Sequence, residues 1–171
     1  MNEWTWKFAF WITTFLVPPL LGIYLDSLCK IGKLQLMVPI GIILLIVILL
    51  VSSAAGRALR LCGHSRKARR LTPPDKLVTS SVFSCMRHPN QFSMSFMPLA
   101  ISMILGSPCG VLLSGWGIAL GLAFILYVEE KLVHESFCPE YCEYAKEVRA
   151  VSLSPKCIVE AIRTLLGASK C

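Results

Sequence analysis

Three long stretches of this chain carry no fixed charge: residues 8–25, 34–56 and 88–128. A bilayer core about 30 Å thick takes roughly 20 apolar residues to cross as a helix. Lipid offers no partner to an unpaired backbone group, so a helix, which satisfies its own, is the element such stretches form. Of the 171 residues 55% are hydrophobic and only 16% charged, against about a quarter charged in a soluble domain. The expectation is an all-α membrane protein, a bundle of about four transmembrane helices.

The first span covers residues 8–25, with Trp4, Trp6 and Trp11 near one interface, where aromatic rings prefer to lie. Pro18 and Pro19 are expected to kink or break it. A second span covers 34–55, with Pro39 near its first turns. Two apolar stretches, 91–105 and 109–128, are joined by Gly106-Ser107-Pro108, a connection so short that it forces an antiparallel hairpin. Gly115, Gly117 and Gly121 offer a small-residue face for close packing. Past Pro139, Tyr141, Tyr144 and Val148 recur at helical spacing, which predicts an amphipathic cytosolic helix. The apolar pattern Ile158, Val159, Ile162, Leu165, Leu166 predicts a tail helix on the membrane surface. The chain is thus expected in two parts: an N-terminal transmembrane hairpin, 1–55, and a region, 56–171, that holds the third and fourth spans and the cytosolic tail.

The net charge of +7 is concentrated after the second span, in Arg57, Arg60, Arg66, Lys67, Arg69 and Arg70. Basic residues flanking spans mark the cytosolic side, and no recognition fold accompanies them, so nucleic acid is not expected as a partner. That side is the cytosol of a plasma or inner membrane, or of the endoplasmic reticulum in a eukaryote. The eight cysteines lack the density of a secreted disulfide scaffold and are read as mostly free thiols.

The hairpin brings its two open ends together, and with them two polar clusters: Arg87-His88-Pro89-Asn90 and the pair Glu129-Glu130. Ionisable groups at such depth are functional candidates by default. Leu77-Val78-Thr79-Ser80-Ser81-Val82-Phe83 followed by Arg87-His88-Pro89 resembles the segment LVTSGxYxxxRHPxY of isoprenylcysteine carboxyl methyltransferases and their prokaryotic relatives, with phospholipid methyltransferases as more distant kin. Glu129-Glu130, Phe137, Glu140-Tyr141, Tyr144 and Val148 resemble the same family's EE…FGxEYxxYxxxVP tail. The resemblance implies S-adenosylmethionine (SAM) as methyl donor and a lipid-like or lipidated acceptor. It implies cofactor contacts on Asp75, Lys76, Leu77, Val78, Phe83, His88, Pro89, Asn90, Gln91 and Glu129, and catalytic work for Glu129, Glu130 and Arg87.

The chain departs from the pattern at Phe83 (for tyrosine), Ser81 and Cys138 (each for glycine), Gln91 (for tyrosine) and Arg149 (for proline). Ile125 stands where many relatives carry an arginine that serves the acceptor, which leaves a prenylcysteine carboxylate without its cationic partner. Two other readings stay open: a non-catalytic SAM- or lipid-binding relative or scaffold, and a nicotinamide-dependent membrane reductase. His134, Cys138 and Cys142 are spaced as on a metal face, but Pro139 interrupts the spacing and no fourth ligand is evident, so no metal is expected. The oligomeric state and the acceptor's reacting group (carboxylate, amine, thiol or hydroxyl) are not legible.

Overall fold

The computed structural model describes residues 3–64 and 74–167, and every described element is helical. Arg66, Lys67, Arg69 and Arg70, with the end of the tail at 168–171, lie outside the described residues. Among the described residues, eight α-helices run in order: α1 (Glu3–Leu28), α2 (Met37–Cys62), α3 (Pro89–Ser95), α4 (Met97–Ile104), α5 (Pro108–Phe124), α6 (Glu130–Phe137), α7 (Glu140–Glu147) and α8 (Pro155–Leu165). A 3-10 turn at Ser81–Ser84 precedes α3, and a π-helical turn at Ile125–Glu129 joins α5 to α6.

Among the described residues, three helical stretches are long and apolar enough to cross a membrane: Thr5–Leu28, Met37–Cys62 and Pro108–Phe137. The remaining apolar stretch is divided at Phe96 into α3 and α4, and neither piece alone reaches the length of a crossing. Pro98 accounts for the division. It has no N–H to bond the carbonyl of Met94, and its fully buried ring sits at the start of α4. The large apolar side chains left outside include the aliphatic Leu16, Leu20, Ile43 and Leu49 and the aromatic Phe8 and Trp116, as expected of a surface facing hydrocarbon.

The chain divides into two compact units, residues 1–48 with 94–123, and residues 49–93 with 124–171. In the first, α1 stays helical through Pro18 and Pro19, so of the expected kink or break the break does not occur. Both rings are buried, and α5 meets the first of them with a glycine: a Cβ on Gly117 would lie 3.5 Å from Pro18 Cγ and 2.9 Å from Pro98 Cγ. Packing there replaces what the missing N–H groups remove. The α4–α5 hairpin forms as expected. Gly106 at φ 65° ends α4, the Ser107 N–H bonds Ser102 O at 3.0 Å, and Ser102 and Ser114 bond each other across the hairpin at 3.1 Å. Asp26 at the end of α1 accepts from Ser107 Oγ at 2.5 Å and from the Cys109 N–H at 3.1 Å.

The small-residue face is only partly as expected. Gly121 and Gly117 are at close contacts, whereas a Cβ on Gly115 would meet nothing within 4 Å. The tightest approach lies elsewhere, at Gly22, whose Cβ would overlap the Gly110 backbone. In lipid, such backbone proximity is a main source of helix association. Gly22→Ala is therefore expected to cost about 1–3 kcal/mol and to lower the thermal midpoint in detergent, while Gly115→Ala leaves it unchanged or raised. Equal midpoints for the two variants would contradict this packing.

In the second unit, α8 lies against the turn at Ser81–Ser84, with Cys157, Ala161 and Thr164 buried. Cys157 is bonded to Cys85, and Cys138 to Cys142. These pairs correct the expectation of mostly free thiols; Cys29 and Cys109 remain free. The opposite face of α8 exposes Ile158, Val159, Ile162 and Leu166, the pattern a helix lying on a membrane surface presents.

Candidate active site

The polar cluster forms within the second unit. The carbonyl of Gly63, just past α2, accepts the N–H groups of Asp75 and Lys76 at 2.9 and 3.2 Å. Residues 75–76 are thereby fixed to the end of α2 with their side chains exposed. Val78 and Phe83 then turn inward, at 5% and 8% exposure. Ser81 enters the 3-10 turn at φ 62°, a left-handed conformation that disfavours side chains by about 1–2 kcal/mol. This is the position where the resembling motif carries glycine, and the backbone explains why.

Beyond the turn, successive N–H groups of Arg87 and His88 bond the carbonyls of Arg149 and Ala150 at 3.0 and 3.1 Å. The two side chains then converge on one carboxylate. Glu130 Oε1 accepts from Arg87 Nε at 3.0 Å and Nη2 at 2.9 Å, and from His88 Nε2 at 2.8 Å. Arg87 Nη1 donates to the carbonyls of Ala145 and Val148 at 2.8 and 2.7 Å, the end of α7. Its guanidinium also lies 5.7 Å from the centroid of the Tyr141 ring, in range of a cation–π attraction. The Tyr141 hydroxyl is 3.4 Å from His88 Nε2, and the Tyr144 hydroxyl donates to the carbonyl of Phe83.

His88 is 4% exposed, and burial holds its imidazole below the ordinary histidine range, opposed by the charges of Glu130 and Glu129. Neutral imidazole therefore serves as donor to Glu130 near neutral pH. Burial also pushes the phenols of Tyr141 and Tyr144 well above their usual value, so both remain hydroxyl donors.

Of the two adjacent glutamates, Glu130 is the direct partner of His88, and Glu129 acts on His88 through its charge. The cause is the π turn at Ile125–Glu129. A π turn takes an additional residue per turn and re-aims the side chains beyond it, and such turns recur at functional sites. No pattern in the sequence marks it. Of the other expected residues, Pro89 is fully buried while Asn90 and Gln91 are half-buried at the start of α3. Leu77 is half-buried, Asp75 and Lys76 are exposed, and Glu129 is half-buried. Tyr141 and Tyr144, read from sequence as one face of an amphipathic helix, join the site. Their matching place in the tail motif was the available signal. Ile125 is fully buried.

The fold and cluster define a helical integral-membrane protein with a buried arginine–histidine–glutamate site. Residues 36–140 match the family model of phospholipid methyltransferases, and the chain belongs to that family: membrane methyltransferases acting on lipids. Neither a curated protein nor a solved structure matches it significantly.

The ion pair is largely removed from solvent, at 12% and 20% side-chain exposure for Arg87 and Glu130. Deleting one partner strands the other, at a cost of about 3–5 kcal/mol. Arg87→Ala is thus expected to lower the thermal midpoint sharply; a near-wild-type midpoint would show that the pair carries little. His88, with its pKa depressed in the folded state, contributes stability that is present above the unfolded value of about 6.5 and declines as pH falls below it. His88→Gln, which keeps a donor toward Glu130 but does not titrate, is expected to flatten the fall in midpoint below about pH 6.5. An unchanged pH slope would exclude His88 as its source.

Proposed function

We propose that the chain transfers a methyl group from SAM to a lipid-like acceptor at the cytosolic boundary of its membrane, with the donor held by the second unit. The observation that carries this is the division of labour between neighbouring carboxylates. Glu130 is engaged by Arg87 and His88, whereas Glu129 stands beside the same cluster, half-buried, outside that triad.

The donor set fits the proposed ligand. SAM presents a cationic sulfonium, an amino group, ribose hydroxyls and an adenine face. Glu129 supplies a carboxylate for the cationic or hydroxyl portion, and Asn90 and Gln91 supply amide groups. Leu77, Val78 and Phe83 supply an apolar wall, and Asp75 and Lys76 sit at its exposed margin. The bound donor would supply an already electrophilic methyl group. What this chain contributes is an aligned approach and exclusion of water. Arg87, Glu130 and His88 act as positioning residues: they set the entry to α3 relative to α6 and α7.

Ile125 bears on the acceptor. Fully buried at the first position of the π turn, it leaves no cation one turn before Glu129. That disfavours an acceptor read by its carboxylate and supports an amine-bearing lipid headgroup, whose attacking nitrogen must first lose a proton. The basic residues after α2 support a cytosolic placement.

Titration calorimetry in detergent with SAM and S-adenosylhomocysteine tests the donor, and transfer of labelled methyl groups into amine-bearing phospholipid vesicles tests the reaction. Glu129→Gln is expected to weaken SAM binding by about 2 kcal/mol, the loss of a charge-assisted contact, with the helical circular dichroism retained. Wild-type affinity in Glu129→Gln would remove this residue from the cofactor site. Binding of NADPH in place of SAM would favour the reductase reading.

A further inference from the structure

The helices α6 and α7 meet at a corner formed by Cys138 and Pro139, and on that corner three soft ligand groups converge. His134 Nε2, Cys138 Sγ and Cys142 Sγ lie within 4.8 Å of one another, and Cys142 Sγ is 3.3 Å from His134 Nε2. In an unbroken helix His134 and Cys142, eight residues apart, would be separated by about 12 Å along the axis. Pro139, which interrupts the spacing in the sequence, is where the chain turns and brings the third group back to the first. The cluster is open to solvent: His134 and Cys138 are exposed and Cys142 is half-buried.

We propose that this corner, in its dithiol state, is a binding site for zinc, with two thiolates and one imidazole as protein ligands and the fourth position open to water. Tetrahedral zinc with Zn–S near 2.3 Å and Zn–N near 2.0–2.1 Å sets S···N edges of about 3.6 Å and an S···S edge of about 3.8 Å. The Cys142 Sγ to His134 Nε2 separation of 3.3 Å is a few tenths short of the S···N edge, and all three ligand atoms lie within 4.8 Å of one another. The Cys138–Cys142 disulfide in the structure is the oxidised alternative of the same site. An external phosphine or thiol reductant supplies two electrons and is itself oxidised, and two protons from solvent complete the dithiol. Zinc binding then releases both thiol protons to solvent. The ion itself undergoes no redox change.

The corner's position gives the site a consequence. One arm, α6, begins at Glu130, and the other, α7, carries Tyr141 and Tyr144. A metal across the corner braces the angle between the two sides of the arginine–histidine–glutamate cluster.

The test needs neither SAM nor turnover. The full chain in detergent is reduced with a phosphine, freed of it anaerobically, and titrated with Co(II) followed by Zn(II). The expected result is one equivalent of cobalt giving a near-ultraviolet thiolate-to-cobalt charge-transfer band and visible bands of four-coordinate intensity, both removed by one equivalent of zinc. Cys138→Ser and Cys142→Ser are each expected to abolish the charge-transfer band, and His134→Ala to weaken cobalt binding by at least about tenfold. The variants' gel-filtration elution and circular dichroism confirm folding, and the untreated disulfide form of the wild type provides a control that needs no mutation. Absence of a thiolate band in the reduced wild type would overturn the proposal. So would a band that persists in the double variant Cys138→Ser/Cys142→Ser, since the remaining cysteines would then be its source.

Discussion

The geometry of the candidate site depends on one oxygen. Glu130 Oε1 accepts bonds from both Arg87 and His88, residues more than forty positions away in the chain. Arg87 in turn closes off two carbonyls at the end of α7. A partly buried ion pair is weak grounds for net stability, because desolvation offsets much of the attraction. Its value here is specificity of position: only one register of α6 and α7 against residues 87–88 satisfies a guanidinium, an imidazole and a carboxylate together. The backbone bonds from residues 87 and 88 to 149 and 150 fix the same register from the other side.

This arrangement separates two carboxylates that look equivalent in the sequence. Adjacent glutamates at the end of an apolar helix repel each other, and water-facing helix ends are the cheapest place to put them. The π turn before them sends one into the cluster and leaves the other beside it. A pair with distinct environments is what distinct roles require: one charge neutralised by fixed partners, the other placed where its field reaches His88.

Much of the fold was legible because solvent physics dictates it. Charge-free stretches had to become helices, and Gly106-Ser107-Pro108 had to be a tight turn, since nothing longer was present. What escaped were the places where tertiary packing overrides a local rule. Pro18 and Pro19 should interrupt a helix, yet a glycine on α5 leaves room for the first ring, and α1 continues. Pro98, with no such local warning beyond its identity, does divide a span. The pairing of Cys85 with Cys157, 72 residues apart, depends on α8 folding back onto the turn at Ser81–Ser84, which no spacing encodes. The site itself was legible as a neighbourhood but not as a set of partners, because the single residue inserted by a π turn decides which of two glutamates is aimed inward.

The departures from the family pattern acquire different meanings once placed. Ser81 keeps the left-handed backbone that a glycine would adopt freely, so the turn's shape is maintained at some local strain. That is a conformational substitution and leaves the chemistry alone. Ile125 is another matter: it is fully buried, and a guanidinium there would need a buried counter-charge to offset its desolvation. An isoleucine at this position leaves recognition of the acceptor to groups beyond this helix.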